Sequence, residues 1–221
     1  MKSAASHAVL DIESRKRKAS VIMKILSDYK EIKNCKILNI GSGSGVIESE
    51  IGKISKDVYS VDIVDERIIK DNFVFKKVGD EKLPFKDNGF DIVISNHVMA
   101  HVRDNETHLK EINRVLNKNG IVYLSMLNRL WPLEPNFNLL FLSWLPKKIA
   151  DFYVKLNGKG KSYNVNPLTY NRFIKKISKY FTYEDITMKI IKQKFPMPHL
   201  AYRLFKRFSP IWILILRKVD G

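Results

Sequence analysis

The sequence has a single cysteine, Cys35, among its 221 residues, and it has no long apolar run. One cysteine excludes a disulfide framework, so we expect a reducing, cytoplasmic compartment. The longest apolar stretches are Ile211 to Leu216 and, with one serine, Leu139 to Leu145. Both are too short to span a bilayer. Residues 1–18 are polar and basic and lack the apolar core of a signal peptide.

Acidic residues are scarce relative to basic ones, because 23 Asp and Glu stand against 39 Lys and Arg, a formal net charge of +16. Residues 151–221 alone hold 15 Lys and Arg against 4 Asp and Glu. This excess indicates an anionic partner, whether a phosphorylated substrate, a membrane surface or nucleic acid, or it reflects only a lysine-rich proteome. The length and the hydrophobic content of 45% fit one globular domain with a sizeable core.

Three glycines follow a short apolar segment near the N-terminal end of the chain. Ile37 to Ile40 has the pattern of a strand, and Gly41, Gly43 and Gly45 come directly after it. Glycines allow a tight turn and remove the β-carbons that would keep a ligand away from the backbone. A glycine-rich turn between a first strand and a helix is the usual seat of an adenosine-containing cofactor.

Two acidic residues follow at the intervals expected of such a site. Asp62 ends a second apolar run, 17 positions after the last glycine, and can accept hydrogen bonds from both ribose hydroxyls. Asp80 comes after a third strand and can accept from an adenine amino group. Leu83 and Phe85 offer apolar surface for the adenine ring.

A buried parallel strand is expected at Phe90 to His97, and its polar end opens where open α/β sheets bind ligands. Other cofactor classes fit less well. A nicotinamide fingerprint would need a glycine at position 46, which is Val46. A phosphate-binding P-loop needs Gly-Lys-Ser/Thr at the end of its turn, and this turn ends in Gly45-Val46 instead.

The set of motifs resembles the class I S-adenosylmethionine (SAM)-dependent methyltransferases, in particular the branch similar to the ubiquinone/menaquinone-biosynthesis C-methyltransferases. The resemblance covers residues 36 to about 127 in the segments ILNIGSGSG, VYSVDIVDERI, VGDEKLPF, FDIVISNHVMAHV and LKEINRVLNKNGIVYLS. It implies a Rossmann-like doubly wound α/β fold with a seven-stranded, mostly parallel sheet whose last strand is antiparallel. It also implies SAM as cofactor, bound by Asn39, Gly41, Ser42, Gly43, Gly45, Asp62, Ile63, Asp80, Glu81 and Asn96.

Asn39 departs from the pattern of the family, which usually carries an acidic residue two positions before the first glycine. An amide can still accept a hydrogen bond, but it cannot offset the positive charge of the amino or sulfonium group of SAM. We therefore expect weaker cofactor binding, or a second carboxylate that compensates.

The resemblance also implies a division of the single domain into four parts. Residues 1–35 form an N-terminal helical lid, 36–127 the cofactor-binding core, 128–166 a substrate cap, and 167–221 a C-terminal helix and closing strands. The individual elements predicted from the pattern are a helix over 8–32, a helix from Lys110 to Leu116 ended by Asn119-Gly120, a fifth strand from Ile121 to Leu127, a helix from Pro167 to Tyr180, and an antiparallel pair of strands, Thr182 to Ile191 and Ile211 to Lys218.

Two histidines after the fourth strand are the candidate catalytic residues. Methyl transfer to a hydroxyl needs the proton removed, and histidine, with an ordinary pKa of about 6.5, suits that role. His97 and His101 stand four residues apart and would share one face of a helical turn. His101 matches a histidine frequent in the family, whereas His97 is nearer the strand end and is our first choice. The alternative for each is a hydrogen bond that only orients the loop, and the other three histidines have no supporting context.

Four residues of the cap region are candidates for substrate binding. Arg129 can pair with a carboxylate or phosphate, or with a surface acid. Trp131, Trp144 and Tyr163 can stack on a sugar or aromatic ring, or pack a small core of the cap itself. No Cys/His cluster has metal-ligand spacing, and Asp104 with Glu106 reads as a solvated helix start more readily than as an ion site.

Three functions compete at this level. The first is methylation of a small molecule, with a hydroxyl of a saccharide or lipid-linked intermediate preferred. The stretch after Arg129 loosely resembles methyltransferases of surface-glycan pathways, and the basic segment Phe195 to Phe208 suits an anionic membrane surface. The second is methylation of RNA at a ribose or ring nitrogen, favoured by the charge, although the base-amine motif Asn/Asp-Pro-Pro-Tyr/Phe is missing. The third is a catalytically weak SAM-binding partner subunit. The oligomeric state does not follow from the sequence.

Overall fold

A computed structural model describes residues 11–194 and 208–219. Its helices and strands are, in chain order, α1 (Ile12–Ser27), β1 (Ile37–Ile40), α2 (Val46–Gly52), β2 (Val58–Asp62), β3 (Val74–Lys77), β4 (Phe90–Asn96), α3 (Asn105–Val115), β5 (Leu116–Leu127), β6 (Leu133–Glu134), β7 (Leu139–Leu140), a 3-10 turn (Leu142–Trp144), α4 (Lys147–Leu156), α5 (Tyr170–Ile177), β8 (Phe181–Asp185), α6 (Thr187–Lys194) and β9 (Ile211–Lys218).

Seven strands form one sheet in the order β3-β2-β1-β4-β5-β9-β8. The pairs from β3 to β5 are parallel, whereas β9 runs antiparallel between β5 and β8. This confirms the expected mostly parallel sheet with an antiparallel last strand. The strand order reverses between β1 and β4, which is the place where open α/β sheets bind ligands beyond the carboxyl ends of the strands.

Apolar side chains on both faces of the sheet explain why helices cover both. One cluster unites the sheet with α3 and α5 and includes Leu38, Ile112 and Phe173, all fully buried. The other cluster lies under α1 and α2 and includes Ile22 and Ile51. Alternate residues of β1 enter the two clusters, as the period of two in a strand requires. The central strands are therefore buried on both sides.

Helix α1 is shorter than the predicted span of 8–32. It begins after Asp11, whose Oδ1 accepts a hydrogen bond from the Ser14 amide at 3.1 Å and so satisfies one free N–H of the first turn. The positions before Asp11 lie outside the described residues. The buried residues Ala19, Ile22 and Leu26 turn one face of the helix to the sheet.

The predicted stop of the third helix at Asn119-Gly120 is wrong. Helix α3 ends at Val115, and Leu116 already has extended dihedral angles and pairs with Phe90. The loop before β4 supplies the reason, because the amides of Asn88 and Gly89 donate to the last helical carbonyls at 2.9 and 2.8 Å. These tertiary hydrogen bonds already satisfy the carbonyls of Arg114 and Val115, which in a longer helix would accept from amides further along the helix.

The predicted strand from Thr182 to Ile191 is correct only in its first half. Strand β8 ends at Asp185, and residues from Thr187 onward form α6. The Asp185 carboxylate accepts from the Thr187 amide at 3.0 Å, which favours a helix start at this point. The predicted strand Ile211 to Lys218 is confirmed, and the predicted helix 167–180 is confined to α5.

The residue after β5 is bonded to the segment that leads into β9. The Asn128 amide donates to the Pro210 carbonyl at 3.0 Å, and its side-chain amide donates to the Ser209 carbonyl at 2.8 Å. Most of the basic segment 195–208 lies outside the described residues. None of the helices in the described part of the chain has the length and apolar character to cross a bilayer.

Candidate functional site

The glycine turn after β1 has the left-handed backbone that its sequence suggests. Gly41, Gly43 and Gly45 have φ angles of 84°, 52° and 80°. The Gly41 amide donates to the Val61 carbonyl of β2 at 2.8 Å, and Gly45 stands immediately before the first residue of α2. The turn is thus held between β1, β2 and α2, and side chains other than glycine would be strained there.

The three glycines differ in what lies above them. A Cβ at Gly41 would stand 2.4 Å from Cγ2 of Val98, and one at Gly45 would stand 2.0 Å from the Ile69 carbonyl oxygen. A Cβ at Gly43 would have no heavy atom within 4 Å. Gly41 and Gly45 therefore serve close packing of the protein, whereas Gly43 presents bare backbone to open space, where a ligand can approach.

Asp62 reaches back from the end of β2 to this turn. Its Oδ2 accepts from the Gly43 amide at 3.0 Å and its Oδ1 accepts from the Ile63 amide at 2.7 Å. The structure thus brings the predicted residues Gly43, Asp62 and Ile63 together. A carboxylate has lone pairs beyond these two bonds, so Asp62 can still accept from ribose hydroxyls.

Asp80 lies after β3, beside a surface cavity of ≈ 370 Å³ that Gly79 and Leu83 also line. Its Oδ1 accepts from the Lys82 amide at 2.8 Å. The neighbouring Glu81 is oriented differently, because its Oε1 accepts from the Arg103 amide at 2.7 Å in the loop after β4. Asp80 and Leu83 therefore border a space of suitable size for a purine ring, and Glu81 ties two loops together.

Phe85 was expected beside the adenine and instead packs into an aromatic group. Its ring lies edge-on to Phe90 at 4.9 Å and to Tyr59 at 5.8 Å between centroids. Edge-to-face pairs at these distances are favourable contacts of a core. Leu83 alone of the two apolar residues lines the cavity.

At the end of β4, Ser125 of β5 links two predicted site residues. Its hydroxyl donates to Asn96 Oδ1 at 2.9 Å and accepts from the His97 amide at 3.0 Å. His97 has a φ of 65°, which is uncommon for a residue with a side chain. Ser125 is fully buried, and sequence reasoning did not single it out because only the pairing of β5 with β4 brings it here.

His97 carries no positive charge near neutral pH. Burial lowers its pKa to about 3, and the nearby cations Lys18 and Arg15 of α1 act in the same direction. The helical turn predicted to join it to His101 is absent, because residues 97–101 form a bend and a turn in which the His101 amide donates to the Val98 carbonyl at 2.8 Å. His101 is exposed.

His108 is a third histidine near this edge, and no motif in the sequence singles it out. It is 2% exposed, and its Nε2 lies 3.0 Å from the hydroxyl of Ser95, the residue before Asn96. Burial lowers its pKa to about 4. The contact joins α3 to β4 and positions the strand end.

A buried acid, Glu48, was also missed. It lies in the first turn of α2 with no exposed surface, and its Oε1 accepts from Asn39 Nδ2 at 2.8 Å and from Ser60 Oγ at 2.7 Å. Burial raises its pKa. One sequence signal could have identified Glu48. It stands in a short helix next to Ile47 and three residues before Ile51, both of which are buried.

The predicted substrate residues separate into two environments. Tyr163 is 6% exposed and packs edge-on against Phe137 at 5.5 Å, with the Arg129 and Glu134 charges acting on its hydroxyl. Trp144 is 48% exposed and pairs with Phe141 at 4.8 Å on the outer side of the cap.

The backbone around Arg129 fastens the cap to the sheet. The Arg129 amide donates to the Leu168 carbonyl at 3.0 Å, and the Trp131 amide donates to the Asn128 carbonyl at 3.1 Å. Trp131 is half-buried beside this junction. Since β4 and β5 are neighbours, Arg129 lies near the same sheet edge as the residues after β4, while Trp144 belongs to the outer surface of the cap.

Asp104 has a structural role as the N-cap of α3. It accepts from the Glu106 amide at 2.8 Å and from the Thr107 hydroxyl at 2.6 Å. Glu106 in turn accepts from Lys179 and Tyr180. Across residues 11–194 and 208–219 there is no group of three or more His, Cys, Asp or Glu placed to hold a metal ion.

A Gly-Lys-Ser tripeptide does occur in the chain, at Gly160 to Ser162, but in the wrong context for a P-loop. It follows helix α4 and leads into an extended segment, whereas a P-loop connects a strand to the start of a helix. The glycine turn after β1 has no lysine. The geometry therefore favours an adenosine ligand on bare backbone over a cradled triphosphate.

The comparisons with known proteins agree with this site. A family model described as "Methyltransferase domain" matches residues 38–124, which span β1 through most of β5. The matched segment holds the glycine turn and Asp62, so the cofactor-binding part of the chain is similar to the class I SAM-dependent methyltransferases.

Among curated methyltransferases, the ubiquinone biosynthesis O-methyltransferase of Pelagibacter ubique is 29% identical over 114 residues, 48% of this chain and 48% of that protein. The enzyme of the same name from Rickettsia bellii is 26% identical over 146 residues, 60% of each chain. The match thus spans about half the length of these curated relatives.

Solved structures show the fold over nearly the whole chain. The PH0226 protein of Pyrococcus horikoshii superposes with a TM-score of 0.66 at 18% identity, covering 95% of this chain and 94% of that protein. A SAM-dependent methyltransferase from Methanosarcina mazei gives a TM-score of 0.61 at 19% identity, with coverage of 89% and 98%.

SAM is the cofactor of this methyltransferase domain, and the described residues fit it. Open space above Gly43 admits a ligand to the backbone, Asp62 has acceptor capacity at the end of β2, and Asp80 borders a cavity of purine size. Beneath the turn, Glu48 and Asn39 each keep one buried oxygen without a hydrogen bond in the described structure. Both oxygens are acceptors without a donor, and the amino group of SAM can supply one.

Substitution of Gly43 and of Gly45 by alanine should separate ligand binding from folding. Gly43→Ala costs about 1–2 kcal/mol for a left-handed residue and projects a methyl group into the open space, so we expect a folded protein with weakened SAM binding. Gly45→Ala meets the Ile69 carbonyl as well and should lower the free energy of unfolding by more. Urea unfolding and calorimetric SAM titration measure the two effects. Equal affinity of Gly43→Ala and wild type would contradict the placement of the cofactor.

His108→Gln should change how stability depends on pH. Because the pKa of His108 falls from about 6.5 unfolded to about 4 folded, only the unfolded chain takes up this proton between those values. The wild-type free energy of unfolding should therefore fall on acidification by about 1.4 kcal/mol per pH unit from this residue. The glutamine variant, which keeps an amide near Ser95, should show a slope shallower by that amount in urea titrations at pH 4.5 to 6.5; parallel slopes would show that His108 does not titrate as described.

Proposed function

We propose that the protein transfers the methyl group of SAM to a hydroxyl of a small-molecule acceptor that carries an apolar tail. The observation on which this depends is the exposed apolar surface of the cap. The acceptor is a lipid-linked intermediate, with a saccharide or aromatic ring as the part that is methylated. Its cellular place, on this proposal, is the cytoplasm at the surface of the membrane.

Helix α4 shows apolar side chains on two faces. Ala150 and Val154 are fully buried against the cap, whereas Ile149, Phe152 and Leu156 are 53%, 65% and 72% exposed. Together with Leu140, Phe141, Leu145 and Tyr153 they line a surface cavity of ≈ 340 Å³. Contiguous exposed apolar surface is costly in water and is typical of binding sites for apolar ligands or membranes.

Basic side chains accompany this surface. Lys147, Lys148 and Lys155 lie in the same helix and are exposed. An apolar face with cationic side chains beside it suits an amphiphile with an anionic head group, or a membrane surface on which such an amphiphile resides.

The cap is fastened close to the catalytic edge of the sheet. The Asn166 amide donates to the Ala100 carbonyl at 2.7 Å, in the turn that follows His97. The return segment of the cap therefore runs beside the loop after β4. An acceptor held by its tail on the cap can present its polar end to this edge, which is the arrangement that in-line methyl transfer requires.

The curated relatives support a hydroxyl as the accepting group, because their names state O-methylation in ubiquinone biosynthesis. Ubiquinone is a quinone with a long polyprenyl tail, so this comparison also supports an amphiphilic acceptor. RNA methylation depends on the basic C-terminal third, much of which lies outside the described residues, and the described part of that third has no feature that supports it.

SAM supplies an electrophilic methyl group on a sulfonium. The residues of this chain have to hold the cofactor, align the acceptor with it and remove the proton of the acceptor hydroxyl. The glycine turn and Asp62 hold the adenosine side. His97, at the end of β4, is proposed to receive or orient the acceptor hydroxyl, as a neutral imidazole that is a ready hydrogen-bond acceptor but a weak base. Such a group suits a hydroxyl that is already acidic, for example a phenol.

His97→Asn tests this role and suits the left-handed backbone, which asparagine tolerates. We expect unchanged SAM binding and a turnover rate reduced by about 10²-fold or more, the usual loss when a general base is removed. With a pKa of about 3, the wild-type rate should show no inflection near pH 6.5 from His97. His101→Asn serves as the control, and a rate of His97→Asn equal to that of wild type would remove His97 as the base.

The contribution of the apolar tail to acceptor binding is tested with two pairs of acceptors. One pair is a catechol with and without a farnesyl chain, and the other is a saccharide with and without a polyprenyl phosphate. Wild-type protein should show a lower KM for the tailed member of the productive pair. The double variant Phe152→Ser/Leu156→Ser should raise that KM about tenfold and leave the tailless acceptor unaffected. Val74→Ser, at a similarly exposed apolar residue on the far edge strand β3, is the matched control. Equal KM values for tailed and tailless acceptors would refute the proposal.

A further inference from the structure

Glu48 is an acid buried without a positive partner. Its side chain has no exposed surface, and none of the described cations lies within ion-pair distance of it. Arg15 and Arg67 are near enough to interact with it electrostatically, but Arg67 is paired with Asp65 at 2.8 Å. A buried carboxylate in such surroundings is unfavourable unless a further group completes the site.

Three buried oxygens at this place lack a hydrogen bond of normal geometry, namely one each of Glu48, Asn39 and Ser42. Asn39 Nδ2 and Ser60 Oγ both bind Oε1 of Glu48, and the Ser42 hydroxyl is near enough to act on the same carboxylate. Oε2 of Glu48 and Oδ1 of Asn39 are sealed from solvent and have no partner in the described structure. Buried acceptors are nearly always satisfied in proteins, so an unsatisfied pair indicates a missing donor.

The amide orientation of Asn39 is defined by its surroundings. Nδ2 donates to Glu48 at 2.8 Å and lies 3.4 Å from the Gly41 carbonyl oxygen, so both neighbours are acceptors and the other end of the amide must be the oxygen. The free Oδ1 and the free Oε2 therefore belong to two side chains that are bonded to each other, directly below the glycine turn.

We infer that Glu48, held by Asn39 and Ser60, is the carboxylate that binds the amino group of the methionine moiety of SAM, with Asn39 Oδ1 as a second acceptor. This rests on SAM being the cofactor. A primary ammonium has three donors, which can satisfy both unpaired acceptors, and its positive charge would stabilise the ionised form of Glu48, whose pKa burial otherwise raises. Arg15 of α1 interacts electrostatically with both Glu48 and His97, and Lys18 interacts with His97, so α1 brings two cations that suit the carboxylate of the same moiety.

The inference explains why Asn39 is compatible with a working site. An acidic residue at this strand position would place the charge at the end of β1. Here the charge stands on α2, nine residues later, and a hydrogen bond of 2.8 Å joins the two positions. The negative charge is displaced by the length of one side chain rather than lost.

The test uses two ligands that differ in the methionine moiety. S-adenosylhomocysteine keeps the amino group, whereas 5′-methylthioadenosine lacks the whole amino acid portion. Glu48→Gln should weaken S-adenosylhomocysteine about 10- to 100-fold, the range for a lost charge-assisted hydrogen bond, and should leave methylthioadenosine within about twofold of wild type. Isothermal calorimetry on the full chain gives both constants. Glu50→Gln, the same substitution in the same helix, should change neither.

A double variant keeps the proposal testable if Glu48→Gln folds poorly. Asn39→Asp/Glu48→Gln restores one carboxylate and one amide with the hydrogen bond reversed, so affinity for S-adenosylhomocysteine should return to within a few fold of wild type. Equal loss of both ligands in Glu48→Gln, loss of neither, or no recovery in the double variant overturns the subsite alone. Wild-type protein that binds neither ligand overturns the cofactor and this subsite together.

Discussion

The hydrogen bonds that hold the glycine turn against β2 are the constraint on which the site depends. The Gly41 amide is fixed to the Val61 carbonyl and the Gly43 amide to the Asp62 carboxylate. These bonds set the point at which α2 begins, and α2 in turn places Glu48 beneath the turn. One short left-handed segment thereby determines both the open backbone surface at Gly43 and the place of the buried Glu48.

The central sheet and the glycine turn could be predicted because their information is local. Short apolar runs, three glycines and a following acid are visible along the chain, and parallel pairing brings their ends to one edge. The errors arose where distant residues decide. Helix α3 ends at Val115 because Asn88 and Gly89 occupy its last carbonyls, and no pattern within the helix reveals that.

The buried polar residues were the part of the site that the sequence concealed. Glu48, His108 and Ser125 read as ordinary surface positions, and only the packing of α2, α3 and β5 on the sheet shows them to be enclosed. The reverse holds for Trp144, which reads as a stacking residue and lies on the outer surface. In both directions the missing information is burial, which depends on the tertiary neighbours rather than on the residue type.

The junction between Asn128 and Leu168 has a consequence for how this architecture can change. Because Asn128 forms a parallel bridge with Leu168 and the Arg129 amide donates to the Leu168 carbonyl, the chain between them departs from and returns to one place, while the strands that carry the glycine turn precede it entirely. The free-energy cost of closing such an excursion grows only slowly with its length. This segment can thus lengthen, shorten or be exchanged while the strands that carry the glycine turn keep their geometry.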